Sequence, residues 1–279
     1  MTLQFKIAPT FNAPVFAIHS SASNNTQWKH LVQELDARFD VIAPNLPGYG
    51  DLAITPDFSE TGVAITAAPI IREIEKQRQP VHLVGHSQGG GVALKIALMR
   101  PALIKSLTLY EPATFHFLKS GDRTDKQMSA AINQVAGLLT ASCQSDRPDL
   151  GMKQFIDFWN GDGAWNQSPP ALRKKLAEQA TIVMSDFARG FEETWTLSDL
   201  EQLEIPTLML MGMASPKVAQ HVATKITRAI PNARMAMLPG LGHMAPVFQP
   251  QWINPRIREH IAGVERPAVP CSWPQKSAA

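Results

Sequence analysis

Short apolar runs alternate along this chain with segments whose apolar residues recur every three to four positions. Val15 to Ile18 is apolar throughout, as a buried strand would be, whereas Thr26 to Arg38 carries its apolar residues on one helical face. Strands that alternate with helices in this way predict an α/β fold with a doubly wound, mostly parallel sheet. The predicted strands are 3–8, 15–18, 41–43, 81–84, 103–110, 207–211 and 233–238.

The helices expected between these strands lie at 26–38, 58–77, 90–100 and 218–229, and a closing helix is expected at 251–261. Pro69 falls inside the second of them and should either kink that helix or mark its true start, because proline lacks the backbone N–H.

The alternation stops after the strand that ends at Tyr110 and resumes near Pro206. Between these points the pattern is helical, with no convincing strand, and it predicts helices at 125–140, 151–160, 170–180 and 185–196. We therefore expect a core formed by residues 1–113 and 200–264, with residues 114–199 inserted as a helical cap. Residues 265–279 are rich in Pro, Ser and Lys and predict a loose tail.

Composition narrows the functional classes. The 279 residues suit one domain with an insertion, and the formal net charge of +2 gives no case for nucleic acid or acidic membranes as partners. No apolar run reaches the length of a membrane span, and no signal peptide is seen. Two cysteines do not make a disulfide framework, so we expect the cytoplasm.

No phosphate-binding glycine loop, metal-ligand cluster or dinucleotide fingerprint is present in the sequence, so no cofactor and no metal is implied. The expected partner is a small-molecule substrate, and a homodimer is left open.

The strongest chemical signal is the stretch Gly85-His86-Ser87-Gln88-Gly89, which follows an apolar strand and precedes an amphipathic helix. This G-x-S-x-G pattern is typical of a nucleophile elbow, a strained turn that presents a serine between strand and helix. The glycines two positions before and after the serine let neighbouring backbone pass. Ser87 is therefore the candidate nucleophile, and it needs an adjacent base.

The elbow and four other stretches, in this order and spacing, resemble the α/β-hydrolase superfamily over nearly the whole chain. The resemblance implies a serine hydrolase with a helical cap over the sheet. The stretches are His19 to Asn24, Pro44 to Gly50, Gly85 to Gly89, Leu109 to Pro112 and Pro239 to Met244.

The resemblance assigns the base to His243, which follows the last strand in the superfamily position. The acid departs from the commonest pattern, because Ser215 stands where an aspartate is usual. Glu111 ends the strand after the elbow helix, a place that haloalkane dehalogenases use for their acid. We expect Glu111 to orient His243, with Asp199 as the runner-up and a Ser87–His243 dyad as the remaining alternative.

The oxyanion hole should use backbone N–H groups. One follows the nucleophile at Gln88, and the superfamily motif places the other at Ser21. We expect Asn24 to line the polar side of the pocket, with a role in a turn as the alternative. Phe115 and Met244 should line the apolar side.

These residues predict acyl transfer on a small apolar ester or lactone. A C–C bond hydrolase or an acyltransferase would use the same residues, since the difference lies in pocket shape. A ligand-binding signalling protein on a hydrolase scaffold is the alternative from another class.

Overall fold

The computed structural model describes residues 3–4, 12–35, 38–52, 61–119 and 121–266. Within them, seven strands form one sheet in the order β1-β3-β2-β4-β5-β6-β7. β1 is antiparallel to β3, and the other neighbouring pairs are parallel. The predicted α/β fold class is confirmed. The strands are β1 (Leu3–Gln4), β2 (Val15–Ile18), β3 (Val41–Ala43), β4 (Val81–His86), β5 (Ile104–Tyr110), β6 (Thr207–Gly212) and β7 (Ala233–Leu238).

Helices cover the sheet and fill the interval between β5 and β6. They are α1 (Lys29–Leu35), α2 (Ala64–Glu75), α3 (Gln88–Met99), α4 (Arg123–Gln144), α5 (Pro148–Asn160), α6 (Ala164–Gln167), α7 (Pro170–Glu178), α8 (Ala180–Glu192), α9 (Leu197–Leu200), α10 (Lys217–Ala229), α11 (Ala245–Phe248) and α12 (Pro250–Glu265). Short 3-10 turns at Asn25–Trp28, Pro101–Leu103 and Phe115–Leu118 complete the described elements.

The two faces of the sheet carry separate apolar cores. Alternate residues of β2 divide between them, because successive side chains of a strand point to opposite faces. Phe16 and Ile18 pack with α2, α3 and α10. Val15 and Ala17 pack with α1 and α12 on the other face.

The segment between β5 and β6 is helical, with no strand among its described residues. Its apolar side chains join the same core as α2 and α3, including Leu139 of α4 and Trp159 of α5. The segment thus shares one apolar core with the helices on that face of the sheet. Its treatment as a separate cap with bounds 114–199 stays a prediction.

Several predicted bounds were wrong. α2 begins at Ala64, and Pro69 lies inside it, so Pro69 does not start the helix. The helix predicted at 185–196 begins at Ala180 and ends at Glu192, because Glu193 adopts an extended backbone. α12 runs to Glu265, which the predicted tail included, and residues 267–279 of that tail lie outside the described residues.

Parallel register brings the carboxyl ends of the central strands to one edge of the sheet. Gly85 pairs with Ile18, His86 pairs with Tyr110, and Gly212 of β6 pairs with Leu238 of β7. Ligands of open α/β sheets bind beyond this edge, so the residues that follow these strands are the ones to examine.

Candidate active site

Ser87 occupies a strained turn between β4 and α3. Its φ of 53° lies in the region that side chains disfavour. Glycines flank it for steric reasons: a Cβ at Gly85 would lie 2.4 Å from the carbonyl oxygen of Gly89, and a Cβ at Gly89 would lie 2.4 Å from that of Ile18. The strand, turn and helix predicted around Ser87 are therefore present, and they hold the hydroxyl at the strand edge.

His243 lies between Ser87 and Glu111. Its Nε2 is 3.0 Å from the Ser87 Oγ, and its Nδ1 is 2.6 Å from Oε2 of Glu111. A carboxylate can only accept a hydrogen bond, so Nδ1–H donates to it and Nε2 is left to accept from the Ser87 hydroxyl. This is the tautomer that a serine–histidine pair needs for proton transfer.

Glu111 reaches His243 from the end of β5 and is 2 % exposed. Its Oε1 accepts from the backbone N–H of Gly212 at 2.7 Å, so both carboxylate oxygens are bonded. Position 212 has no room for a side chain, since a Cβ there would lie 2.4 Å from the Leu241 carbonyl oxygen. Glu111 has a φ of 44°, which turns the chain away at the strand end.

Asp199, the other candidate acid, is used elsewhere. Its Oδ2 accepts from the backbone N–H of Thr196 at 2.6 Å and from the Thr196 hydroxyl at 2.9 Å, which caps the start of α9. The structure therefore brings Glu111 to His243 and places Asp199 at a helix end.

Two rings hold the His243 imidazole in place. Trp159 of α5 lies against it with ring centroids 4.2 Å apart at 31°. The His86 ring lies against the same imidazole with ring centroids 5.1 Å apart, and its Nε2–H donates to the His243 backbone carbonyl oxygen at 2.9 Å. Gln27 Nε2 donates to the remaining His86 nitrogen at 3.1 Å. Burial holds the pKa of His86 well below its usual value, so His86 stays neutral and acts as a fixed hydrogen-bond partner.

A second buried histidine fixes the loop after β2. His19 Nδ1–H donates to the Ser20 carbonyl oxygen at 2.8 Å, and its Nε2 accepts from the Leu46 N–H at 3.0 Å. The Ser20 N–H donates to Oε1 of Gln27 at 3.1 Å. Burial lowers the pKa of His19 to about 4, which keeps the ring in this one tautomer at neutral pH.

Ser21 and Gln88 both line the cleft next to Ser87. Gln88 is the first residue of α3, so its N–H has no acceptor within the helix and adds to the positive end of the helix dipole. Ser21 is followed by Ala22 at φ 56°, a tight turn that bends the loop back at this point. Both residues therefore border the space beside the Ser87 hydroxyl, and their role as oxyanion donors stays a prediction.

Asp186 of α8 was missed by the sequence reasoning. Its carboxylate accepts from the Ser21 hydroxyl at 2.6 Å, the Tyr49 hydroxyl at 2.5 Å and Nη2 of Arg189 at 2.9 Å. Burial raises the pKa of Asp186, and these hydrogen bonds together with the Arg189 charge offset part of that rise. Asp186 thus ties α8 to the loop that carries Ser21.

A signal for Asp186 did exist in the sequence. The buried residues of α8 are Ala180, Val183 and Asp186, spaced by three, so a carboxylate stands on the apolar face of an amphipathic helix. A charge at such a position requires partners, and here they come from other elements.

The three predicted pocket residues differ in outcome. Phe115 lines the cleft beside Ser87, and Met244 lines the larger cavity beyond it. The prediction for Asn24 was wrong, because Asn24 borders neither the cleft nor the larger cavity. Its Oδ1 instead accepts from the N–H of Thr26 at 2.9 Å and from the Thr26 hydroxyl at 2.6 Å. Asn24 caps the 3-10 turn that follows, and this local hydrogen bonding uses its side-chain oxygen.

Because several buried histidines are neutral, we expect the stability of the fold to decrease in acid. Burial lowers the pKa of His19, His116 and His260 to about 4 from 6.5. The unfolded chain binds more protons between these values, so the stability that neutral histidines contribute is complete above about pH 6.5 and falls as the pH drops towards 4. Each such shift corresponds to about 3 kcal/mol.

We expect the free energy of unfolding in urea to be lower at about pH 5 than at about pH 7.5. His116 lies against the rings of Phe117 and Trp195, so His116→Phe keeps the packing and should reduce the difference between the two pH values. His30→Gln, on the exposed face of α1, is the matched control and should preserve it. An unchanged difference in His116→Phe would contradict the assignment.

Two other kinds of site are absent from the described part of the chain. No group of three or more His, Cys, Asp or Glu side chains there is arranged to hold a metal ion. No described helix combines the length and the hydropathy needed to cross a bilayer.

Comparison with known proteins identifies the family. The model of the alpha/beta hydrolase family matches residues 15–256, which is most of the chain. The chain belongs to this family. The superfamily resemblance of the elbow and its flanking motifs is thereby confirmed, and this α/β hydrolase is an enzyme of the hydrolase class.

Curated relatives of this hydrolase carry esterase and lipase names. A pimeloyl-[acyl-carrier protein] methyl ester esterase of Neisseria meningitidis serogroup B is 24% identical over 245 residues, which cover 85% of this chain and 91% of the relative. Monoacylglycerol lipase ABHD6 of Rattus norvegicus is 19% identical over 275 residues, which cover 94% of this chain and 79% of the relative.

Solved structures show the same fold. MenH from S. aureus superimposes with a TM-score of 0.74 at 18% identity, covering 95% of this chain and 99% of that one. A thermophilic esterase from Thermogutta terrifontis gives a TM-score of 0.72 at 21% identity, covering 95% and 94%. At these identities the likeness concerns the fold alone.

Proposed function

We propose that this hydrolase cleaves carboxylic esters through an acyl-enzyme on Ser87, with His243 as the base and Glu111 as the orienting acid. The observation that carries the proposal is the continuous hydrogen-bonded series from the Ser87 hydroxyl through both nitrogens of His243 to Glu111. The esterase names of the relatives support the same bond type.

The mechanism follows from the two hydrogen bonds of His243. The Ser87 Oγ attacks the ester carbonyl carbon while its proton passes to Nε2 of His243. The backbone N–H groups of Gln88 and Ser21 receive the oxyanion. As the bond to the leaving oxygen breaks, Nε2–H gives its proton to that oxygen, and the alcohol departs. Water then attacks the acyl-enzyme carbonyl carbon while its proton passes to Nε2 of His243. Nε2–H returns a proton to the Ser87 Oγ, and the carboxylic acid is released.

The identity of the nucleophile separates this proposal from halide and epoxide chemistry on related folds. Dehalogenases and epoxide hydrolases attack with a carboxylate, whereas the residue at this elbow is Ser87. Glu111 cannot take that role, since both its oxygens face His243 and Gly212. The helical segment 114–199 is proposed as the cap that shields this site from bulk water.

Multiple turnover of p-nitrophenyl acetate tests the proposal. With Ser87, His243 and Glu111 bonded as described, we expect steady release of many equivalents of nitrophenolate per enzyme. A single burst of one equivalent followed by no further release would instead favour a ligand-binding protein that is acylated once. The same assay with an added alcohol, and analysis of the product, would reveal acyl transfer to a group other than water.

A further inference from the structure

Two spaces of very different size meet at Ser87. The inner cleft is defined by Ser21, Gln88, Phe115 and Phe187 around Ser87, and its volume is about 30 Å³. The outer cavity also includes Ser87, extends past His243 and Met244 to Phe248, and has a volume of about 1030 Å³. The inner cleft has room for about two water-sized groups.

The chemistry of the proposed mechanism decides which part of an ester enters which space. His243 protonates the leaving oxygen, so the alcohol portion must lie on the His243 side of Ser87. His243 borders the outer cavity and not the inner cleft. Gln88 borders the inner cleft, whereas Ser21 borders both spaces. With the oxyanion held by backbone N–H groups and the alcohol portion in the outer cavity, the inner cleft is the other of the two spaces at Ser87 and is left for the acyl chain.

We infer that the substrates of this enzyme are esters of a very short acyl group, acetyl or propionyl, with a long apolar alcohol. The inference rests on the proposed esterase function and adds the direction in which the ester binds. It assigns the inner cleft to the acyl group and the outer cavity to the alcohol.

Packing around the inner cleft explains why a longer acyl chain would not fit. Phe187 stacks on Phe115 with centroids 6.4 Å apart and meets Phe155 edge-on at 6.0 Å. Phe155 and Phe115 are themselves buried. Moving one of these rings would disturb the others, and forcing extra methylenes into such a packed site costs about 1–3 kcal/mol.

The polar wall of the inner cleft does not offer an alternative ligand. Asp186 borders this space, but its two carboxylate oxygens already accept from Ser21, Tyr49 and Arg189. An acyl group bearing a cation would have to displace one of these donors. A plain short acyl group leaves all of them in place.

The outer cavity suits an apolar alcohol. Apolar side chains such as Phe158, Leu172 and Val247 form much of its wall, and Phe248 at its border is 69% exposed. Among the residues that line the outer cavity, Lys217 carries the positive charge. An alkyl chain extending from the leaving oxygen would follow this wall outward and bury apolar surface as it does so.

Octyl acetate and methyl nonanoate test the direction of binding. They are isomers of equal composition, so they differ in which side of the ester carries the long chain. We expect kcat/KM for octyl acetate to exceed that for methyl nonanoate by at least about 100-fold in a pH-stat assay, after normalising each to its alkaline hydrolysis rate.

Enlarging each space in turn is the matched comparison. Phe187→Ala opens the inner cleft and should shift the ratio of the two kcat/KM values towards methyl nonanoate by at least about tenfold. Leu172→Ala opens only the outer cavity, and it should bring no gain on methyl nonanoate. Equal shifts in both variants would overturn the assignment of the two spaces.

The outcomes separate this inference from the proposed function. If p-nitrophenyl acetate is turned over while methyl nonanoate equals or exceeds octyl acetate, the inference fails and the esterase function stands. If p-nitrophenyl acetate is turned over and neither isomer is cleaved, the assignment of a long apolar alcohol to the outer cavity is wrong. If none of the three esters is turned over, the proposed function itself fails.

Discussion

Replacing Ser87 with alanine is expected to lower kcat for p-nitrophenyl acetate by about 10⁶ while the protein remains folded. The magnitude follows from removing the nucleophile of a serine–histidine–acid set, whose members act as a unit. The fold should tolerate the change because alanine and serine are similarly strained at a φ of 53°, and the turn is fixed by Gly85 and Gly89. The measurement is steady-state turnover, with thermal unfolding as the check on folding.

Covalent labelling provides the independent control for this prediction. A fluorophosphonate should modify Ser87 in the parent enzyme and leave Ser87→Ala unlabelled, as peptide mass analysis would show. Ser145→Ala is the matched substitution, since Ser145 is exposed at the end of α4, and it should be labelled and active like the parent. Retained turnover in folded Ser87→Ala would end the serine mechanism.

Glu111→Gln should lower kcat by about 10³ to 10⁴, as loss of the orienting acid does in comparable sites. The amide is isosteric, and its oxygen can still accept from the Gly212 N–H. Its NH₂ group would then face Nδ1 of His243 and donate to it. That tautomer places the ring proton on Nε2, which can no longer accept the proton of Ser87.

Asp199→Asn is the control for Glu111→Gln, because Asp199 was the competing acid in the sequence. Its carboxylate caps α9 through Thr196, so the variant should keep normal turnover. If loss of the cap has an effect, the free energy of unfolding should fall, by at most about 2 kcal/mol. Near-normal turnover in folded Glu111→Gln, or a large activity loss in Asp199→Asn, would show that the acid is misassigned.

The sequence by itself determined the features that depend on neighbouring residues. The elbow around Ser87 was predictable because the strand before it, the helix after it and the two glycines are all specified within about a dozen positions. The α/β class followed for the same reason, since periodicity within each segment fixes whether it buries one face or two. Glu111 could be nominated because it ends a strand next to the elbow strand.

Local signals were less reliable where two local structures compete. Asn24 was assigned to the pocket, with a turn as the alternative, and its side chain caps the 3-10 turn that begins at the next residue. Pro69 was expected either to kink a helix or to mark its start, and it lies within α2, so it does not start that helix. In both cases the polar or breaking residue had more than one allowed use, and the surrounding packing selected one.

The tertiary structure alone decided the contacts between distant segments. Glu111 and His243 are 132 positions apart, and their 2.6 Å hydrogen bond depends on the register of β5, β6 and β7. The bond between Asp186 and Ser21 spans 165 positions and depends on how α8 packs over the sheet. The unequal sizes of the two spaces at Ser87 arise in the same way, because a cavity is the volume that packed side chains from many segments leave unfilled.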